Sequence, residues 1–172
     1  MSKQVIPFSD FLDMAGIENE DFINQLHAYL QKNDCAAKIR EAANGYVVSY
    51  VHKPSNRTVA NYVFRKKMPM LRVYADNILF YEDIITHWPN AMKDTIKQGG
   101  NCSRLIDPTA CNSRCLKGFD FVLDGARQQK CRCHMSFTFF LNDDTKPYLS
   151  EIMKREMKCK LENKRRSLNQ IT

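Results

Sequence analysis

Several features that identify membrane proteins, secreted proteins or well-known enzymes are missing from the sequence. No apolar run approaches membrane-spanning length, and the first residues contain no apolar core followed by a small-residue cleavage site. No glycine-rich phosphate loop, HExxH motif or nucleophile elbow occurs. We therefore expect a cytoplasmic protein that does not associate with a membrane, and an enzymatic role is not favoured.

The composition is that of an ordinary folded domain. Of the 172 residues, 44% are hydrophobic and 26% are charged, and the formal net charge is +7. A chain of this length can bury a core without disulfides or metal for bulk stability, which predicts one domain over 1–172. More than half of the excess charge lies in the last 22 residues, which contain seven Lys or Arg and three Glu. We expect the basic tail at 164–172 to be frayed.

Hydrophobic spacing predicts a mixture of helices and antiparallel strands. Apolar residues at helical intervals predict a short helix at 10–15 and a longer one from Asn19 that resumes over 35–43. Pro89 divides a later helical stretch in two, and a final helix follows Pro147. A period of two predicts five strands, at 45–52, 58–65, 69–75, 118–125 and 130–141. These elements predict an α+β fold with a single antiparallel sheet of about five strands and helices packed on it, in the order α-α-β-β-β-α-α-β-β-α.

One segment also resembles a known family. The run VVSYVHKPSNRTVANYVFRKKMPMLRVYAD, followed by a proline-broken helix, is similar to the YdhG/YjbR type of small α/β domain. This group belongs to a frataxin-like superfamily of mostly uncharacterised bacterial proteins. The resemblance covers roughly residues 40–140 and rests on element order and a loose strand pattern. It implies a fold and carries no active-site residues over, and the cysteine-rich stretch described next departs from the family pattern.

Five of the seven cysteines fall within 102–133, which is predicted to form a cysteine-rich loop and a hairpin around the turn GARQQ. Zinc takes four thiolate or imidazole ligands in tetrahedral geometry. Cys111 and Cys115, four residues apart, would share one face of a short helix. Cys102 and Cys131 would complete a zinc site, whereas Cys133 falls on the apolar face of the last predicted strand and is assigned to the core.

Reactive thiols are the main alternative to a metal site. Reactive thiols would be favoured by the six basic residues that surround the cysteines: Arg104, Arg114, Lys117, Arg127, Lys130 and Arg132. These residues could lower the pKa of a thiol. Cys111 or Cys115 would then be the nucleophile of a thiol-dependent enzyme or the reactive thiol of a redox sensor. No Cys-x-x-Cys motif is present, and no histidine stands in a sequence context that marks it as a partner base. Unconnected buried thiols are the third interpretation.

Two surfaces remain as candidate binding sites. The mixed polar and aromatic face of the sheet predicts a surface for a small molecule or a protein, with Tyr62, Arg72, Tyr74 and His134 as its residues. Arg65, Lys66 and Lys67 at a hairpin tip could contact phosphates, and together with the basic C-terminal helix they define a nucleic-acid alternative. Our leading hypothesis is a non-enzymatic binding domain, its ligand unidentified, whose cysteine-rich loop is held by zinc.

Overall fold

The computed structural model describes residues 5–112, 115–133 and 137–169, with side chains described as far as residue 163. The backbone divides into two compact units. Unit 1 comprises Met1–Val73 and Phe139–Pro147, and unit 2 comprises Tyr74–Thr138 and Tyr148–Thr172. None of the described helices is both long enough and apolar enough to span a membrane.

The first half of the chain contains two helices and four strands, joined through a 3-10 turn at Lys53–Ser55. Their bounds are α1 Phe8–Ala15, α2 Ile17–Lys32, β1 Cys35–Ala42, β2 Gly45–His52, β3 Arg57–Arg65 and β4 Met68–Val73. The second half begins with a 3-10 turn at Ile78–Phe80. It continues with α3 Asp83–Thr86, α4 Asn90–Gln98, α5 Ser103–Ile106, β5 Phe119–Leu123, β6 Ala126–Lys130, β7 Thr138–Phe140 and α6 Lys146–Asn169.

The α+β class predicted from the sequence is confirmed. A five-stranded antiparallel sheet has the order β1-β2-β3-β4-β7, and its neighbouring strands β1 to β4 follow one another along the chain. The short strand β7 returns to the sheet beside β4 from the distal part of the chain. Element order therefore follows the prediction broadly, whereas the membership of the sheet differs at two places.

The first difference is β1, which the sequence predicts as a helix over 35–43. The segment is a strand that pairs with β2 along its whole length, from Cys35 opposite His52 to Ala42 opposite Gly45. Alanine-rich spacing suits a helix, but pairing with the strongly β-forming β2 satisfies every backbone group along one side of the segment. The alternation buries Cys35, as expected for a structural thiol, while it leaves Lys38 and Arg40 exposed.

The second difference is the hairpin of unit 2. Four of the five residues of the predicted turn GARQQ, 126–129, belong instead to strand β6, and the turn is formed by Asp124 and Gly125. β5 and β6 form a separate two-stranded sheet. Residues 131–133 are not a strand, residues 134–136 lie outside the described part of the chain, and β7 resumes only at Thr138. The long strand predicted over 130–141 is therefore interrupted.

The core of unit 1 lies on one face of the sheet. Tyr62, which the sequence places on a ligand surface, is fully buried there, with its ring centroid 5.3 Å from that of Phe11 and 6.0 Å from that of Tyr50. Aromatic rings packed in tilted and edge-on contacts make a dense core. Tyr62 therefore belongs to the interior of unit 1 and is not accessible to a ligand.

Candidate functional site: a thiol pair beside a buried ionic network

The cysteines of unit 2 occupy very different environments. Cys102 and Cys131 are buried, Cys115 is half-buried, and Cys111 and Cys133 are exposed. The Sγ atoms of Cys115 and Cys133 lie 3.6 Å apart. The backbone N–H of Cys133 donates to the Sγ of Cys131 at 3.4 Å. The structure thus pairs Cys115 with Cys133, the one cysteine of the stretch that the sequence predicts to lie in the core.

The interruption of the last predicted strand explains this misassignment. Alternation along an uninterrupted strand would point Cys133 toward the same side as the buried Phe137. Because β6 ends at Lys130, the alternation of side chains stops before Cys133. The Cys133 side chain instead faces the loop that contains Cys115. A sequence signal was available, since the charged Lys130 and Arg132 flank Cys131 at the point where an apolar strand was assumed.

Cys102 is held against the β5–β6 hairpin. Its backbone N–H donates to the carbonyl of Gln129 at 2.8 Å, and the N–H of Cys131 donates to the carbonyl of Gly100 at 2.8 Å. A side chain at Gly118 would bring a Cβ to 2.2 Å from the carbonyl oxygen of Lys130 and 2.9 Å from the Sγ of Cys102. Glycine at this position therefore allows the close approach that packs the Cys102 thiol into the hairpin.

The four predicted zinc ligands do not converge. Among the described residues, no group of three or more His, Cys, Asp or Glu side chains is arranged to hold a metal ion. Cys111 lies in an exposed bend with φ of +75°, and the described residues on either side of 113–114 are not helical, so the predicted shared helix face is not formed. Zinc remains a prediction, and the described geometry offers a pair of thiols.

The contact between the two thiols changes the acidity of Cys133. Its hydrogen bond with Cys115 first, and burial second, raise the pKa of Cys133 to about 12. The Cys133 thiol therefore stays protonated near neutral pH and can donate its proton to the sulfur of Cys115. His134, the next residue in the chain, lies outside the described residues.

Two of the arginines that the sequence predicts as activators of a thiol bind backbone carbonyls of the cysteine stretch, and Arg127 pairs with the carboxylate of Asp120. Arg104, on α5, donates from Nη1 to the carbonyls of Cys115 and Asn112, the latter at 3.3 Å. Arg132 donates from Nε to the carbonyl of Lys117 at 2.5 Å. These two side chains hold the loop that carries Cys115 from both sides. Arg114, another member of the predicted set, lies outside the described residues.

Arg132 also joins the thiol pair to a buried ionic network. Its guanidinium forms an ion pair with Asp76 and lies over the ring of Phe119, 4.7 Å from the centroid. Asp76 binds the Nζ of Lys160 at 3.1 Å, and Lys160 in turn binds Glu156 at 3.2 Å. The network contains two cations and two anions, so its formal charges balance. Balanced pairs of this kind are the form in which buried charges are tolerated.

Glu156 is the most deeply buried member of that network. Its carboxylate accepts hydrogen bonds from the hydroxyl of Tyr81 at 2.6 Å and from the backbone N–H of Asn77 at 3.0 Å. Burial, followed by the neighbouring Glu156 carboxylate, raises the pKa of Tyr81 well above its ordinary value. The phenol therefore remains a donor, and the carboxylate has its acceptor sites filled.

Lys130 anchors the other end of the cysteine stretch. This side chain is buried, and its Nζ donates to the carbonyls of Lys97 and Gly99 and to the Oδ1 of Asn101, at 2.6, 2.9 and 3.1 Å. Burial lowers its pKa. The amine thus caps the C-terminal end of α4, where free carbonyls favour a positive charge.

The remaining predicted binding residues are separated by burial. Arg72 and Tyr74 are half-buried and Tyr62 is buried, so Tyr62 does not contribute to an accessible face, and His134 lies outside the described residues. Arg65, Lys66 and Lys67 are exposed at the turn between β3 and β4, as the sequence predicts.

No protein-family model matches the chain, and neither the curated proteins nor the solved structures give a match. The resemblance to the YdhG/YjbR type stays a prediction.

Proposed function

We propose that this protein is a non-enzymatic redox sensor in which Cys115 and Cys133 interconvert between two thiols and a disulfide. The observation that carries the proposal is the 3.6 Å separation of the two Sγ atoms. A disulfide requires a separation of about 2.05 Å, so the two loop segments have to approach by roughly 1.5 Å. Neither residue lies in a helix or strand, which makes a movement of that size accessible to the loops.

Glutathione disulfide is a sufficient oxidant for this step. The thiolate of Cys115 attacks one sulfur of the oxidant, forming a protein–glutathione disulfide and releasing one glutathione thiolate. Cys133 then gives its proton to solvent and attacks the Sγ of Cys115, which releases the second glutathione thiolate. Two electrons pass from the protein thiols to the oxidant, and two glutathione molecules result.

The acidity of Cys133 supports this order of events. The hydrogen bond to Cys115 is the first cause of its raised pKa. Once the sulfur of Cys115 is bonded to glutathione, the thiol–thiol hydrogen bond that raises the pKa of Cys133 is lost. The resolving thiol is therefore kept protonated while the pair is reduced, and it is released to react after the first exchange.

A redox titration of the purified protein with glutathione and glutathione disulfide tests the proposal. We expect the intact protein to lose two hydrogens by mass spectrometry, and peptide mapping to recover a Cys115–Cys133 disulfide. Cys111→Ser is the matched control, because Cys111 is an exposed thiol of the same stretch without a described sulfur neighbour. It should oxidise as the wild type does, whereas Cys133→Ser should accumulate the Cys115 mixed disulfide with glutathione.

Two results would contradict the proposal. One is an oxidised protein in which Cys115 is bonded to any cysteine other than Cys133. The other is a protein whose Cys115 and Cys133 both remain alkylatable after equilibration with excess glutathione disulfide.

Zinc is the second candidate, because the same distance also fits two corners of a metal site. Two thiolates at about 2.3 Å from a tetrahedral zinc lie roughly 3.8 Å apart. Such a site would need two ligands beyond the described pair. Elemental analysis of protein purified without an affinity tag decides the matter: one equivalent of zinc that is lost in Cys115→Ser and retained in Cys111→Ser would favour the metal over the redox pair.

A further inference from the structure

The turn between β3 and β4 has an unusual backbone for its sequence. Arg65 pairs with Met68, which leaves Lys66 and Lys67 as the two turn residues. Their φ angles are +50° and +63°. Positive φ at both positions is what a type I′ hairpin turn requires, and this requirement strongly favours Asn-Gly, Asp-Gly or Gly-Gly.

The same chain builds the equivalent turn elsewhere with the favoured residues. In the hairpin of unit 2, Leu123 pairs with Ala126, and the turn residues Asp124 and Gly125 have φ angles of +49° and +77°. Two lysines in the same backbone conformation carry steric strain that Asp-Gly avoids. Strained backbone that persists where a relaxed alternative exists is associated with functional positions.

The strained turn carries three neighbouring basic residues at the end of the β3–β4 hairpin. Arg65, Lys66 and Lys67 are all exposed, and none of their side chains has a hydrogen-bond or ion-pair partner within the part of the chain that the structure describes. Replacing the lysines with Asn-Gly would relax the turn and remove two of these charges. The turn sequence therefore favours charge over local stability.

We infer that the hairpin tip formed by Arg65, Lys66 and Lys67 is a docking point for the phosphate backbone of double-stranded DNA. A two-stranded ribbon fits the major groove of B-form DNA, whereas the deep and narrow major groove of RNA helices excludes it. The net charge of +7 favours approach to a polyanion. Met68 is the only apolar side chain at the tip and is 50% exposed, so the aromatic or leucine anchors typical of interfacial membrane binding are absent from these four residues.

Fluorescence anisotropy with a short labelled duplex, measured across a salt series, tests this inference. Three phosphate contacts predict a slope of about −2.7 in log K against log salt, equivalent to a roughly 40-fold loss of affinity between about 50 and 200 mM salt. The double variant Lys66→Asn/Lys67→Gly should reduce that loss to about 3-fold. Because its turn is relaxed, its thermal midpoint should rise by roughly 2–4 °C.

Two matched variants distinguish an effect of the hairpin tip from a general effect of net charge and from the relief of backbone strain. Lys32→Gln/Lys53→Gln removes two exposed positive charges elsewhere in unit 1 and should keep the wild-type salt slope. Lys66→Gln/Lys67→Gln removes the same charges as the Asn-Gly variant but keeps side chains that are strained at positive φ. It should show the same reduced salt slope as the Asn-Gly variant, without any gain in thermal midpoint.

Several outcomes would overturn the inference. They are the absence of duplex binding at about 50 mM salt, wild-type binding by the Asn-Gly variant, and an equal loss in the Lys32/Lys53 control. Tip-dependent binding to anionic phospholipid vesicles without binding to the duplex would identify a membrane surface as the partner instead.

Discussion

Cys133 is exposed, yet its thiol resists ionisation because the neighbouring sulfur of Cys115 shares its proton. The pKa of Cys133 is raised to about 12, with this hydrogen bond as the first cause and burial as the second. An unfolded chain would ionise the same thiol near its ordinary value of about 8.5. Since the folded pKa is the higher one, the stabilisation from this contact is complete below about pH 8.5 and is lost as the pH rises toward 12.

Removal of the partner sulfur should therefore make Cys133 more reactive. In Cys115→Ala the first cause of the raised pKa is gone, and we expect iodoacetamide labelling of Cys133 at pH 8 to 9 to accelerate by at least about tenfold, which corresponds to one pKa unit. Peptide mass spectrometry after timed quenching measures the rate. Cys111 provides the internal reference, and an equal acceleration at Cys111 would mean that the loop had simply opened.

Residue roles were the hardest property to predict from the sequence. The clustering of five cysteines predicts the stretch that contains the Cys115–Cys133 contact, but which thiol lies beside Cys115 depends on where β6 ends. Tyr62 was assigned to an accessible face because alternation along a strand does not say which face of a sheet is covered. The partner of Cys115 and the burial of Tyr62 are both determined by long-range packing, which local sequence patterns do not indicate.

At the level of elements, the junction of β6 with α4 depends on one buried amine. Lys130 fills three acceptors, two of which are carbonyls at the C-terminal end of α4. In Lys130→Met the apolar stem is retained while these acceptors lose their donor. We expect the free energy of unfolding to fall by about 2–4 kcal/mol, because hydrogen bonds to charged groups are the stronger class. Urea denaturation followed by far-UV circular dichroism measures the change.

Lys97→Gln is the matched control for this prediction. Lys97 is an exposed lysine at the end of the same helix, and it pairs with the exposed Asp124 at 2.7 Å. Exposed pairs contribute little, so the unfolding midpoint should barely move. If Lys130→Met were as stable as this control, the buried amine would have no structural role.

Secondary structure was predictable where local pattern and tertiary pairing agree. β2 and β3 are rich in β-branched and aromatic residues, β4 alternates Leu71 and Val73 with Met70 and Arg72, and all three form strands where the period of two predicts them. The prediction for β1 is wrong because its alanines are typical of a helix. Its strand conformation depends on pairing with β2, which the local sequence does not indicate. The sequence also placed the second hairpin turn too late, even though Asp124 and Gly125 are the residues that a two-residue turn favours.

For the molecule as a whole, the balanced ionic network of unit 2 is the feature whose loss we expect to be most damaging. Glu156 is fully buried and binds Lys160, Tyr81 and the backbone of Asn77. Glu156→Gln keeps the shape but leaves the buried Lys160 and the half-buried Arg132 with Asp76 as the remaining anion of the network. Breaking a buried pair in this way costs about 3–5 kcal/mol.

The single tryptophan gives a direct readout of that loss. Trp88 is buried within unit 2, so its fluorescence reports the unfolding of this unit. The urea midpoint measured at Trp88 should fall clearly in Glu156→Gln. Glu151→Gln, on the same helix and with no side-chain hydrogen bond or ion pair in the described residues, should stay within about 0.5 kcal/mol of the wild type. Equal behaviour of the two variants would mean that the network does not stabilise unit 2.

The two borders of the five-stranded sheet have a consequence for the protein at high concentration. Open strand edges can recruit strands from other chains and start aggregation. Here one border strand, β1, carries the exposed charges of Lys38, Arg40 and Glu41, and the other, β7, is three residues long. The charges on β1 and the short length of β7 leave little edge for an incoming strand to extend, so this sheet should not start aggregation as the protein concentration rises.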